Sequence, residues 1–328
     1  MDFSQVKAFI RKYDKFIITA HETPDGDALG SEYAMLQGLR ALGKTAVIRN
    51  ADPAPEKYGY MDPAGDFQVL SSAEDIPADL DQWALLVLDV ADFRNIGQVR
   101  TLILPKVRDV LIIDHHEGGD KVPQEKLISV DASSTCEIIY LLLGELGVEL
   151  DYGMAIALYT GIVFDTGSFA YPKTTALTLE IGRHLVSLGV NANEVHRHIY
   201  ESDSIGSLRL MSRVMSTLEL HGGDRIAVLS LTRSMLAETG GRYEEADQLI
   251  NIPLRSKRVV VSIFFKENED GLVRCSMRSK GEINVAHIAQ ARDGGGHKNA
   301  AGFKCRRPVD EVKRDVLSVF LAIVAPST

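Results

Sequence analysis

Carboxylates and imidazoles stand at the ends of apolar runs in this sequence, and their types suit one chemistry. The stretch HETPDGDALGS (21–31) offers His21, Asp25 and Asp27 from one short turn. Asp89 closes WALLVLDV, Asp114, His115 and His116 close DVLIIDHH, and Asp165 stands in FDTGSF. Imidazole nitrogen and carboxylate oxygen are ligands for Mn²⁺ or Mg²⁺ rather than for a soft thiolate-bound metal. Pro24 and Gly26 supply the fixed and the permissive backbone angles that such a turn needs. Ionisable residues placed directly after VLII cost desolvation unless they are paired or metal-bound. Singly, each place has a plainer account: an acidic N-cap loop with a surface histidine, a loop carboxylate, the end of a helix. Jointly they supply about the ligands that two cations sharing a carboxylate require. Such a pair activates a water and stabilises both the attacking and the leaving oxygen in phosphate-ester cleavage.

A second group lies far along the chain. Gly294, Gly295 and Gly296 would let backbone approach a phosphate closely, and His297 and Lys298 follow at once. Arg278, in SMRS, offers a planar fork suited to bidentate phosphate contact. A glycine turn and a solvated strand-end arginine are the plainer accounts. His184, His196, His198 and His221 have no carboxylate-rich motif around them and read as surface or packing residues.

Short apolar runs alternating with helical patterns must position the first group. FIITA (16–20) reads as a buried strand and Glu32 to Leu42 as the helix after it. AVIRN (46–50), WALLVLDV (83–90) and DVLIIDHH (109–116) read as further strands, the last two near-continuously apolar, as in a parallel sheet buried on both faces. ISVD, ending at Asp131, is a strand-length run; Ser133–Leu146, Gly153–Asp165 and Thr174–Leu188 read as helices. The pattern is α/β, a doubly wound, mostly parallel sheet, and in such sheets ligands bind beyond the carboxyl ends of the strands. Asn191 to Ser204 is polar, and Ile205 to Leu220 reads as a helix. Beyond it, strands (225–231, 258–266, 272–279) and helices (243–250, 283–291, 310–325) mix without strict alternation, predicting a smaller α+β C-terminal domain. The expected division is 1–190, a helical linker over 191–220, and 221–328.

Composition bounds the function. The chain has 328 residues, 45% hydrophobic and 25% charged, as in an ordinary globular protein of two domains. No apolar run approaches the roughly 20 residues of a membrane span, and the N-terminus lacks a signal peptide's apolar stretch. Cys136, Cys275 and Cys305 are widely spaced and odd in number, which points to a reducing cytosol. A net charge of −9 argues against long duplex DNA as a partner.

HETPDGDALGS, LDVAD, IDHH and FDTGSF resemble, in order and spacing, the four motifs of the DHH phosphoesterase superfamily. GGGHKNAAGF (294–303) resembles the signature of that superfamily's DHH-associated C-terminal domain. The resemblance spans nearly the whole chain and is nearest to the branch of nanoRNases, pAp phosphatases and cyclic-dinucleotide-related phosphodiesterases. It implies two divalent ions, Mn²⁺ with Mg²⁺ as the alternative: one on His21, Asp25 and Asp89, the other on Asp27, Asp89, His115 and Asp165. It implies that Asp114 orients a ligating histidine and that His116 faces the scissile phosphate as hydrogen-bond donor or general acid. In the C-terminal domain Arg278, Ser279, Asn284, Gly295, Gly296 and His297 fall at substrate-binding positions.

The activity so implied is metal-dependent hydrolysis of very short oligonucleotides, nanoRNA or pApA, to nucleoside monophosphates, with pAp as a further substrate and a homodimer through the N-terminal domain. Rival readings are an inorganic pyrophosphatase-like phosphohydrolase, a nucleotide-binding module with a degenerate site, and a RecJ-like exonuclease. Two departures bear on substrate preference. Asp293 sits where close relatives often carry glycine, and Ala170 where many carry arginine.

Overall fold

The computed structural model describes the chain except for residues 73–74, 91, 117–124, 269–270 and 325–328, together with the side chain at 297. The chain divides into two units, Met1–Ser202 and Asp203–Thr328.

The first unit runs α1 (Ser4–Lys12), β1 (Lys15–Thr19), α2 (Gly26–Ala41), β2 (Thr45–Ile48), β3 (Ala84–Leu88), α3 (Val99–Leu102), β4 (Asp109–Asp114), β5 (Glu125–Ile128), α4 (Thr135–Glu145), α5 (Tyr152–Asp165), α6 (Ala176–Ser187) and α7 (Ala192–Tyr200). The described strands pair in parallel in the order β2-β1-β3-β4-β5. Alternate strand residues feed two cores, as the side-chain period of two requires. Phe16, Ile18, Leu86 and Ile113 pack among side chains of α1, α2, α4 and α5, whereas Ile17, Leu85, Val87 and Ile112 pack with Trp83, Ile96 and Val99 on the opposite face. Layers on both faces make the sheet doubly wound, as the apolar runs predict. Its order reverses between β1 and β3, and a crevice opens beyond the strand ends at such a point.

Helix starts follow side-chain capping. Ser134 Oγ accepts from Glu137 N, Asp151 from Met154 N, and Thr175 forms a reciprocal capping box with Thr178. The largest difference from the sequence reading is α2, which begins at Gly26 rather than Glu32. Asp25 caps it through bonds from Asp27 N (3.0 Å) and Ala28 N (3.2 Å), so GDALGS (26–31), read as part of the turn before the helix, is the first turns of a buried helix. The strand read in ISVD is displaced to Glu125–Ile128. The polar segment 191–204 contains α7, capped by Asn191 and docked by Val195 and Ile199, whose spacing of four puts both on one face. The helices read as a linker are divided, α7 packing into the first unit's core and the next helix belonging to the second unit.

The second unit runs α8 (Ile205–Met215), β6 (Glu219–His221), β7 (Ile226–Leu231), α9 (Arg233–Thr239), β8 (Val261–Glu267), β9 (Val273–Ser279), α10 (Ala286–Gln290), β10 (Gly295–His297), β11 (Ala300–Cys305) and α11 (Val309–Val324). Its sheet, β10-β11-β9-β8-β7-β6, is antiparallel except for β7 beside β8. Val312, Val316 and Phe320 of α11 cover one face and Leu210 and Val214 of α8 the other. This is the smaller α+β domain that the mixed pattern predicts.

Candidate metal centre

Neighbouring parallel strands deliver the ionisable residues to one edge. His21 follows β1, Asp89 follows β3, and Asp114 ends β4 with His115 and His116 next in the chain. Asp27 enters from the first turn of α2 and Asp165 from the last residue of α5. Asp89 takes a left-handed backbone (φ +59°), its N–H bonded to Ile113 O at 3.0 Å. Aspartate tolerates this region better than most residues, and such conformations cluster at functional sites.

The side chains converge. His21 Nε2 lies 3.7 Å from Asp25 Oδ2 and 3.6 Å from Asp89 Oδ2. His115 Nε2 lies 3.0 Å from Asp165 Oδ2, 3.6 Å from Asp89 Oδ1 and 3.8 Å from Asp27 Oδ2. The two oxygens of Asp89 therefore face different partners, Oδ2 the His21–Asp25 side and Oδ1 the His115 side. Ligand atoms of His21, Asp25 and Asp89, and separately of Asp27, His115 and Asp165, lie within 4.8 Å of one another, near enough to hold a cation each. A third such set joins Asp89, His115 and His116.

The donor set fits divalent cations. His115 Nε2 is buried and ringed by three carboxylates, the nearest being Asp165 Oδ2 at 3.0 Å, and none of them is aligned for a well-formed hydrogen bond to it. Its Nδ1 is 3.4 Å from Ala132 O, the outer-nitrogen contact that orients a ligating imidazole. Burial lowers the His115 pKa, but Asp165 and Asp27 outweigh it and the net shift is upward. Burial raises Asp25, with Asp165 adding to it; burial and Asp165 hold Asp27 at about 6. Asp89 is pushed well above the carboxylate range by burial and then by Asp27, Asp25, Asp165 and Asp114. Clustered buried carboxylates repel until a cation reverses the balance.

Asp114 differs. Burial would raise it, but His116 prevails and its pKa is lowered. Its Oδ1 accepts from His115 N (2.7 Å), His116 N (3.1 Å) and His116 Nδ1 (2.7 Å). Its side-chain bond is therefore to His116, and it meets His115 only through the backbone. The His116 side chain is 43% exposed, the most open of the cluster's histidines.

Three contributors are absent from the motif reading. The N-terminal amides of α4 hold Asp27, Thr135 N to Oδ2 at 2.6 Å and Cys136 N to Oδ1 at 2.8 Å, and Thr135 Oγ1 donates to Asp89 Oδ1 at 2.9 Å. The capping signal in SSTCE marks the helix start but not what its amides face. Lys173 Nζ lies 3.3 Å from His115 Nδ1 and 3.4 Å from His115 O; nothing in YPKTT signals it. Gly161 permits the close packing behind Asp27, since a Cβ there would lie 2.3 Å from Cys136 Sγ and 2.8 Å from Asp27 Oδ1.

In the second unit the predicted substrate residues gather around β9–β11, several with structural duties. Arg278 is half-buried, its Nη1 3.3 Å from Met277 O. Ser279 Oγ donates to Ile283 O (2.6 Å) and accepts from Asn299 Nδ2 (2.9 Å); Asn284 Oδ1 takes the amides of Ala286 (2.9 Å) and His287 (3.4 Å). Gly295 faces open space, but a Cβ on Gly296 (φ +130°) would lie 2.4 Å from Ala300 O, and one on Gly294 2.2 Å from Gly302 O. Sheet packing thus demands two of the three glycines. His297 pairs with Ala300, and its side chain lies outside the described residues. Asp293 is left-handed (φ +58°), so this position favours glycine for its backbone and tolerates aspartate. Ala170 lies exposed in the turn after α5. Cys136 and Cys275 are buried and all three cysteines are free.

Residues 15–162 match the N-terminal domain of the DHH family, and residues 223–325 match the DHHA1 domain. A relative from Thermus thermophilus named bifunctional oligoribonuclease and PAP phosphatase NrnA is 31% identical over 87% of this chain and 82% of its own length. One of the same name from Bacillus subtilis is 28% identical over 89% of this chain and 90% of its own. Among solved structures, an exopolyphosphatase-related protein from Bacteroides fragilis superposes with a TM-score of 0.90 at 24% identity, covering 98% of both chains. RecJ of Thermus thermophilus in complex with Mn²⁺ reaches 0.54 at 16% identity over 98% of this chain and 54% of its own. These two likenesses concern the fold alone.

Proposed function

The chain belongs to the DHH family and is a phosphoester hydrolase, and from that premise we propose that it cleaves very short oligonucleotides, a few residues of RNA or pApA, to nucleoside monophosphates, with pAp as a further substrate. The observation that carries the reading is Asp89, whose two oxygens face two separate ligand groups. The names of the Thermus and Bacillus relatives support the substrate class.

In this reading His21, Asp25 and Asp89 would hold one divalent cation, and Asp27, Asp89, His115 and Asp165 the other, Mn²⁺ with Mg²⁺ as the alternative. Bound there, such ions supply positive charge to the phosphate oxygens and acidify water. The chain's own residues do the rest. Asp114, its pKa lowered, accepts from His116 Nδ1 and fixes the ring, and in the imidazolium form the opposite nitrogen, Nε2, carries the proton that passes to the leaving oxygen. The α4 amides and the Thr135 hydroxyl hold Asp27 and Asp89 in place, so little reorganisation is left for the reaction. Substrate contacts in the second unit fall to Arg278, Ser279, Asn284, Gly295, Gly296 and His297. The half-buried guanidinium of Arg278 and the open backbone at Gly295 favour phosphate there.

Among the described residues no helix is long and apolar enough to cross a membrane. A cytoplasmic location, in keeping with three free cysteines, and a homodimer through the first unit complete the reading. The test is product analysis with Mn²⁺ on pApA, pAp, a short RNA ladder and pyrophosphate, each with a chelator control. Chelator-sensitive AMP release from pApA and the shortest RNAs is expected. Pyrophosphate hydrolysis far exceeding that of pApA, or tight pApA binding without turnover, would overturn the assignment.

A further inference from the structure

The turn after Asp165 carries an aromatic surface that the metal chemistry does not use. Ser168 and Phe169 both take left-handed backbone, φ +59° and +64°. Hydrogen bonds hold them there: Ser168 N to Val163 O at 2.8 Å, Phe169 N to Thr166 Oγ1 at 3.0 Å, and the amides of Ala170 and Tyr171 both to Thr166 O at 2.9 Å. A left-handed phenylalanine is costly and persists only where its surroundings enforce it. The outcome of the turn is the position of Tyr171. A Cβ built on Gly167 would lie 2.5, 2.6 and 2.7 Å from Cζ, Cε1 and Cε2 of that ring. Near-equal distances to these three atoms define a point above the ring plane. One face of Tyr171 is therefore seated on glycine backbone. With the residue 58% exposed, the opposite face is open.

Tyr200 adds to this surface from α7. Its hydroxyl donates to Val163 O at 3.3 Å, and the residue is 42% exposed. Its ring centroid is 4.9 Å from that of His196, whose Nδ1 lies 3.5 Å from Ser168 Oγ. Burial raises the Tyr200 phenol, and Tyr171 and Asp165 are near enough to add to the effect. Two exposed tyrosines thus stand around the segment that presents Asp165. Two residues beyond Tyr171, the Lys173 ammonium sits beside His115 and favours an approaching phosphate.

We propose that Tyr171, flanked by Tyr200, is the stacking platform for the nucleobase of a nucleotide whose phosphate lies at Asp165 and His115. The inference rests on the functional reading above and deepens it. A ring with one face fixed on backbone and the other open offers planar apolar area with little entropy left to lose. Every base has a π-face, so such a platform selects for a base without selecting which one. A substrate without a base, such as pyrophosphate, gains nothing from it.

The test is steady-state kinetics with Mn²⁺ on pApA and on the same dinucleotide lacking both bases, for wild type, Tyr171→Phe and Tyr171→Ala. Wild type should prefer pApA in kcat/KM by about 5- to 150-fold, the worth of one stacked base. Tyr171→Ala should lose most of that preference through a raised KM for pApA while turning over the abasic substrate as wild type does. Tyr171→Phe should keep the preference. Equal loss on both substrates, or no change on either, would overturn the proposal. So would dissociation of an oligomer on sedimentation of Tyr171→Ala, which would make the surface an interface between copies. Failure of wild type to hydrolyse either substrate would instead refute the functional reading, and the inference with it.

Discussion

Replacing Asp89 by asparagine separates the charge of the shared carboxylate from its shape. Asp89 is 3% exposed and left-handed, a conformation asparagine adopts as readily. The bonds from Asp89 N to Ile113 O and from Thr135 Oγ1 to the side-chain oxygen can both survive. What changes is electrostatics. The ligand atoms of Asp25 and Asp89 lie within 4.8 Å, where two unit charges would repel by about 3.5 kcal/mol at an effective dielectric constant of about 20, so without a cation Asp89 is held toward its neutral, protonated form, which asparagine resembles. Asp27, Asp165 and Asp114 add to that repulsion. Chelated Asp89→Asn should therefore melt no lower than the chelated wild type. Excess Mn²⁺ should reverse the order. An ion at a hundred times its Kd stabilises by about 2.7 kcal/mol, which is about 5–10 °C for a unit of this size. Wild type should show this rise and Asp89→Asn should not. Its kcat should fall by more than about a hundredfold, since partners outside the ligand sphere already cost 10–100-fold. The assay is scanning calorimetry with chelator and with Mn²⁺, beside AMP release. A full Mn²⁺ shift in the variant would refute the shared-carboxylate argument, and a chelated variant melting well below wild type would make Asp89 a structural residue.

Three further outcomes follow from the geometry. His116→Ala should lower kcat by about 10²–10⁴ while leaving the Mn²⁺-induced rise in Tm intact; loss of that rise would make His116 a ligand, as its set with Asp89 and His115 permits. Gly161→Ala should cost about 1–3 kcal/mol in urea denaturation and weaken Mn²⁺ binding by calorimetry, because the new Cβ meets both Cys136 and Asp27; unchanged Mn²⁺ affinity would count against tight packing behind Asp27. Glu32 is buried and, despite its bond from Asn50, held at about 8, above its ordinary value. The folded chain then keeps a proton that the unfolded chain releases, so stability falls as pH rises from about 4.5 to about 8. Glu32→Gln should have no advantage near pH 4 and an advantage growing towards pH 8, bounded by about 5 kcal/mol; a gain independent of pH in urea titrations would refute the assignment.

Much of this was legible along the chain because the signals are local. Apolar runs such as WALLVLDV and DVLIIDHH are strands because four to six consecutive residues can be wholly apolar only when both sheet faces are covered. The polar residues that end them lie at the strands' carboxyl edge, whatever order the strands adopt. What misled were segments whose local polarity conflicts with their burial. GDALGS (26–31) starts a buried helix that Asp25 caps, and the carboxylates of Asp25 and Asp27 face a cluster rather than water. Residues 191–204 hold a helix that two apolar side chains dock.

The sequence by itself determined the residue types, the strand ends that carry them and the family of the chain. Only the tertiary structure decided that Asp89 turns one oxygen to each ligand group, that Asp27 is held by the amides of α4, and that Lys173 reaches His115. Asp27 and Thr135 are 108 positions apart. No periodicity reports such a meeting, because it depends on strand order and helix packing, and those are set by burial of the whole core rather than by any one stretch of residues.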